Sequence, residues 1–236
     1  MTAIIVIPQK EVVHLVTDGA CYSGDGTLTL EMQKAHPLLN LNAVVAGRGL
    51  PLFAGVFALH AGTKAASFDH LKSLACEIAS GTAKELRLVI EASAVGGAVE
   101  LAIAGWSERH GPSNYFLGNH DGNALPKSWE LIEGGTEINF APSSDAIKAE
   151  LAEAFPNGLL ADRADPVVDG LRILEIQRKH PVEHGPTGWG TLRTVGAFAQ
   201  LTTITPEQIT MKIIHRWPDE IGQPIAGSRN VGGGGL

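Results

Sequence analysis

Two apolar, β-branched runs stand at the very start of the chain, residues 2–7 (TAIIVI) and 12–17 (VVHLVT), with only Pro8, Gln9, Lys10 and Glu11 between them. Runs of this kind favour extended backbone, and the short break between them reads as the turn of a hairpin. The chain therefore begins inside a sheet, and the remaining two hundred or so residues have to pack on it.

Strand and helix composition alternate along that remainder. Residues 28–30 and 41–46 (LNAVVA) keep the β-type composition up to Gly47-Arg48-Gly49. From residue 50 to 81 the apolar residues fall at helical spacing, with Pro51 near one start, Ser67-Phe68-Asp69 at a second and Gly81 as the stop, which predicts two helices. Residues 86–92 (LRLVIEA), 99–105 and 114–117 read as a three-stranded meander whose turns include 107–112. Residues 143–155 open on a Ser-Ser-Asp cap, and 167–179 carry Val168, Leu171, Ile173, Leu174 and Ile176 at helical spacing, so both read as helices. Residues 195–205 and 209–217 return to strand composition. The order strands, helices, strands, helices, strands predicts an α+β molecule of two packed sheets with helices outside them. No linker or repeat divides the chain, so residues 1–226 read as one domain and the Gly-rich 227–236 as a flexible tail.

Composition narrows the function classes. Lys plus Arg is 18 against 25 for Asp plus Glu, a formal net charge of −7, which repels phosphate backbones and anionic lipid; neither nucleic acid nor a membrane is expected as partner. No apolar stretch approaches the about 20 residues of a spanning helix. Two cysteines, Cys21 and Cys76, are too few for a disulfide framework, and the start lacks a basic segment ahead of its apolar run, which reads as a cytoplasmic protein.

The chemistry with most promise lies at residue 2. If Met1 is removed, Thr2 carries a hydroxyl nucleophile and a free α-amine. An α-amine titrates near neutrality and can take the hydroxyl proton, so nucleophile and base are one residue. A nearby ammonium depresses the amine pKa and stabilises charge on the attacking oxygen; a carboxylate keeps that ammonium protonated and aimed. Lys34 and Asp18 offer both groups, and the backbone at Gly47 can approach a substrate carbonyl as oxyanion donor.

Thr2, Asp18 and Lys34, spaced by sixteen and sixteen residues, resemble the catalytic Thr, Asp and Lys of proteasome β-type subunits and related N-terminal nucleophile hydrolases. Val16-Thr17-Asp18-Gly19-Ala20 is similar to that family's Asp-containing turn, Ala46-Gly47 to its Ala-Gly stretch, and Ala104-Gly105-Trp106 through Gly111-Pro112 and Tyr115 to its Gly-Trp and Gly-Pro hairpin. The resemblance implies a four-layer αββα sandwich, hydrolysis of peptide or amide substrates by Thr2, Asp18, Lys34 and Gly47, and assembly into a homo-oligomer without metal or organic cofactor. Ala20, Cys21 and Arg48 are candidates for contact with substrate, Cys21 reading equally as an inert buried thiol. Arg48 departs from the pattern, since a small residue usually follows that glycine.

Two rivals belong to other classes. The sandwich can serve as a non-catalytic building block of a shell or a phage-related particle. Gly118-Asn119-His120-Asp121 resembles part of a metal-dependent phosphoesterase centre, but the early Asp-x-His and late Gly-His-x-His that such a centre needs do not occur. His180-Pro181-Val182-Glu183-His184 fits a zinc-peptidase pattern in letters, yet Pro181 and Gly185-Pro186 deny it the helix on which two histidines would share a face.

Overall fold

The computed structural model describes residues 2–92, 97–119, 128–183 and 191–225. In chain order the elements are β1 (Ile4–Gln9), β2 (Val12–Asp18), β3 (Ala20–Tyr22), β4 (Leu28–Glu31), β5 (Ala35–Leu38), β6 (Ala43–Arg48), α1 (Pro51–Lys64), α2 (Phe68–Glu85), α3 (Arg87–Glu91), β7 (Glu100–Ser107) and β8 (Gly111–Gly118). Then come β9 (Ile132–Glu133), β10 (Asn139–Ala141), α4 (Asp145–Ala154), α5 (Val168–Lys179), β11 (Val182–Glu183), β12 (Thr191–Leu192), β13 (Phe198–Ile204) and β14 (Ile209–Arg216). One antiparallel sheet runs β10-β1-β2-β13-β14 and the other β5-β6-β7-β8-β9; the pairs β3-β4 and β11-β12 stand apart from them.

Strand alternation builds the layers. Ile5 and Ile7 of β1 turn outward to a core shared with Ile147 and Leu151 of α4 and Ile173 and Leu174 of α5. Their neighbours Ile4 and Val6 turn inward, against Val44 and Ala46 of β6 and Ala102 and Ala104 of β7. Val45 and Ile103 face the opposite way again, onto Phe53 and Phe57 of α1 and Phe68 and Leu71 of α2. Because the central strands are covered on both faces, their sequences are apolar throughout rather than alternating. The result is an α+β, four-layer αββα sandwich of antiparallel sheets.

Caps explain where the helices begin. The Ser67 hydroxyl accepts from the His70 N–H (3.1 Å) and Ser144 Oγ from the Ile147 N–H (3.3 Å). Ahead of α5, where no side chain occupies the cap itself, Asp165 Oδ1 accepts from the N–H groups of Val167 and Val168.

Several expectations are corrected. Residues 86–92 do not form a strand. The i to i−4 bonds continue from Thr82 through Leu86 to Ile90 and on into Ala92, and Leu88 is 70% exposed. Leu, Arg and Glu are good helix formers, and the run follows that propensity. The meander is completed instead by the two-residue β9. Gly81 does not stop α2, which runs on to Glu85 because Ile78, Ala79 and Thr82 bury around it. β5 was not expected; Pro37 within it lies on a sheet edge, where a missing N–H costs no ladder bond. The tail at 227–236 lies outside the described residues.

Candidate active site

The hairpin register makes the site. Ile4 pairs with Thr17, so the residues just before β1 lie against the end of β2, and Asp18 N–H reaches the Ala3 carbonyl at 3.4 Å. Asp18 is fully buried, and four donors converge on its carboxylate. Oδ1 accepts from the Ala3 N–H (2.8 Å) and from Lys34 Nζ (2.9 Å). Oδ2 accepts from the N–H groups of Ala20 (3.1 Å) and Gly196 (3.3 Å). Lys34, just ahead of β5, is 6% exposed, so the ion pair lies in a low-dielectric setting where charge-assisted bonds are strong.

The second sheet supplies Gly47 and Arg48 at the end of β6. Arg48 Nε donates to the Thr2 carbonyl at 2.9 Å, and its Nη1 pairs with Glu100, its cross-strand partner on β7. A Cβ on Gly47 would lie 2.6 Å from Ala54 Cβ, so the glycine lets β6 approach α1 whatever its N–H does in catalysis. Thr2 is itself buried, 7% exposed. Lys34 is thus bonded to Asp18, Arg48 to Thr2, and the two pairs meet at the Thr2–Ala3 peptide group, whose N–H Asp18 accepts. Gly47 is placed beside them by chain continuity. Ala20 contributes its N–H to Asp18 while its side chain packs with Leu28 and Phe198. Cys21 is half-buried; burial pushes its thiol pKa up, Lys34 pulls it down and Asp18 adds to the rise.

Sequence reasoning passed over Arg178 and Asp219. Arg178, on the last turn of α5, donates to Asp219 through both Nη1 (2.9 Å) and Nη2 (2.6 Å), and Nη1 also donates to the Val195 carbonyl (2.6 Å). Asp219 Oδ2 accepts from the Ala197 N–H at 2.8 Å. The pair grips the loop whose Gly196 bonds Asp18, and a Cβ on Gly196 would lie 2.5 Å from Asp219 Oδ2. An arginine near a helix end is ordinarily a solvated charge, and a partner 41 residues away has no local signature.

The rival motifs are placed as well. Asn119 Oδ1 accepts from the Val99 N–H and its Nδ2 donates to the Gly97 carbonyl, so that side chain braces a loop; His120 and Asp121 lie outside the described residues. His180 comes just after the end of α5 with its ring on Glu150 (2.7 Å), and Glu183 is in a strand; His184 lies outside the described residues. Among the described residues no group of three or more His, Cys, Asp or Glu is arranged to hold a metal, and no helix is long and apolar enough to cross a membrane.

No family model matches the chain, and no curated protein does. Solved structures do. An Anbu (Gly-1) mutant from Hyphomicrobium sp. strain MC1 superposes with a TM-score of 0.61 at 10% identity, over 91% of this chain and 87% of that one. Anbu (ancestral beta-subunit) from Yersinia bercovieri gives 0.59 at 12% identity, over 90% and 87%. The resemblance to proteasome β-type subunits is corrected accordingly: no sequence comparison places the chain in that family, and these structures, at identities that carry the fold alone, are Anbu proteins. The chain has the proteasome-like N-terminal nucleophile hydrolase fold.

Proposed function

We propose that, with Met1 removed, this protein is an N-terminal threonine hydrolase of peptide or amide bonds. The observation that carries the reading is the buried Asp18 carboxylate, which bonds the Lys34 ammonium and the Ala3 N–H through one oxygen and so ties a lysine to the residue after Thr2. Thr2 Oγ1 attacks the scissile carbonyl carbon while the α-amine takes the hydroxyl proton. The carbonyl electron pair moves onto oxygen, which the Gly47 N–H receives. Collapse expels the amine product with that proton and leaves an ester on Thr2. Water then attacks the ester, gives its proton to the α-amine, and the Thr2 oxygen departs with it. Lys34 holds the amine pKa down and Asp18 orients Lys34. Ala20 and Cys21 flank the substrate. The chain works as a homo-oligomer, to which α1 offers Leu52 and Leu59, more than half exposed on its outer face.

Intact mass before and after an epoxyketone directed at N-terminal threonine tests this. The expected result is loss of Met1 and a single adduct that Thr2→Ala abolishes. A full-length mass with no adduct in natively processed protein overturns the reading and leaves the fold an assembly role.

A further inference from the structure

Asp18 and Arg48 act on one peptide bond from opposite ends. Asp18 Oδ1 accepts from the Ala3 N–H at 2.8 Å, and Arg48 Nε donates to the Thr2 carbonyl at 2.9 Å. The two groups come from different sheets, Asp18 from the end of β2 and Arg48 from the end of β6. Both bonds are charge-assisted, and each full charge faces the complementary end of the peptide dipole.

The peptide group is planar, so fixing its oxygen and its N–H fixes the plane, and the Thr2 Cα lies in that plane. Only rotation about the Thr2 Cα–C bond and χ1 is left to aim the amine and the hydroxyl, and a β-branched side chain restricts χ1 further. Arg48 does not hold this position by itself. Glu100 stands directly across from it in the β6-β7 register and pairs with Nη1, leaving Nε toward Thr2. Arg48 is 11% exposed, which removes most of the water that would compete for the guanidinium.

We propose that Arg48, braced by Glu100, is a positioning residue that sets the Thr2 backbone for attack, a role distinct from contact with substrate. The inference rests on the hydrolase reading of Thr2. It accounts for a long cation beside the strand-end glycine, where a small side chain would leave the Thr2 carbonyl without this donor. It also makes the site a joint between the two sheets, since Thr2 leads into β1 of one sheet and Arg48 ends β6 of the other.

The test is the kinetics of epoxyketone labelling, separated into the maximal labelling rate and the concentration that gives half of it, with a thermal unfolding scan of every variant. A misaimed nucleophile loses rate without losing binding. Arg48→Met is therefore expected to lower the maximal rate about 10- to 100-fold with the half-saturating concentration unchanged. Arg48→Lys, which keeps a donor, recovers part of the loss, and Glu100→Gln falls between wild type and Arg48→Met. If Arg48→Met does not fold, Arg48→Lys and Glu100→Gln decide by the same measure. Absence of adduct on the wild type sinks the hydrolase reading and this inference with it. Adducts formed at equal maximal rates on wild type and variants overturn this inference alone, as does a change confined to the half-saturating concentration, which assigns Arg48 to the substrate.

Discussion

With four donors on its carboxylate and no exposure to solvent, Asp18 is the residue on which the site's electrostatics turns. Removing one member of a buried ion pair leaves the other charge uncompensated. Asp18→Ala is expected to destabilise the fold by about 3–5 kcal/mol in urea unfolding, and Asp18→Asn with Lys34→Met by much less than the two single changes added. His14 predicts a pH dependence. It lies on β2 with Nδ1 2.9 Å from Thr203 Oγ1 and Nε2 3.2 Å from Gln9 Oε1. Gln9 gives its own N–H groups to the Ala161 and Ala164 carbonyls, so its oxygen faces His14 and the proton of the neutral ring is on Nε2. Burial lowers the His14 pKa to about 4, against an opposing pull from Asp165. Between that value and the ordinary one near 6.5 the unfolded chain binds the extra proton, so stability is full above about pH 6.5 and is lost as pH falls toward about 4. Urea midpoints across that range are expected to fall for wild type and to stay flatter for His14→Gln.

Among the elements, those buried on both faces were the easiest to read. β1, β2, β6 and β7 are runs of Ile, Val, Leu and Ala whose burial leaves no alternative to a covered strand. The serine caps of α2 and α4 gave their starts to within two residues. What escaped were elements not fixed by local pattern: β5, with His36 and Pro37 in it, is a strand because β6 lies alongside, and Arg87–Glu91 is a helix that sets Ile90 against the α1-α2 core. The β6-α1 contact yields a prediction of its own. Gly47→Ala forces a Cβ against that of Ala54 and is expected to destabilise by about 1–3 kcal/mol, while adding Ala54→Gly restores the melting temperature. The N–H of residue 47 survives both changes, so labelling of the double variant at the wild-type rate is expected; a melting temperature that the second change fails to restore would refute the packing account.

Taken whole, the order of strands and helices foretold the four layers, because amphipathic helices flanking buried strands have few other ways to cover both sheets. Asp18 and Lys34, two residues named by the resemblance, form an ion pair once the hairpin register and the turn after β4 are in place. The supports from Arg48, Glu100, Arg178 and Asp219 stayed hidden, since each depends on contacts between segments far apart in the chain. Of these, the grip of Arg178 and Asp219 on the loop around Gly196 has a consequence in time. Asp18 is synthesised long before Asp219, yet its carboxylate receives its fourth donor from a loop that Asp219 secures. A nascent chain that stops short of Asp219 leaves that loop unsecured, so the surroundings of Asp18 are finished only after Asp219 has been made, and a chain cut short before that point is left without them.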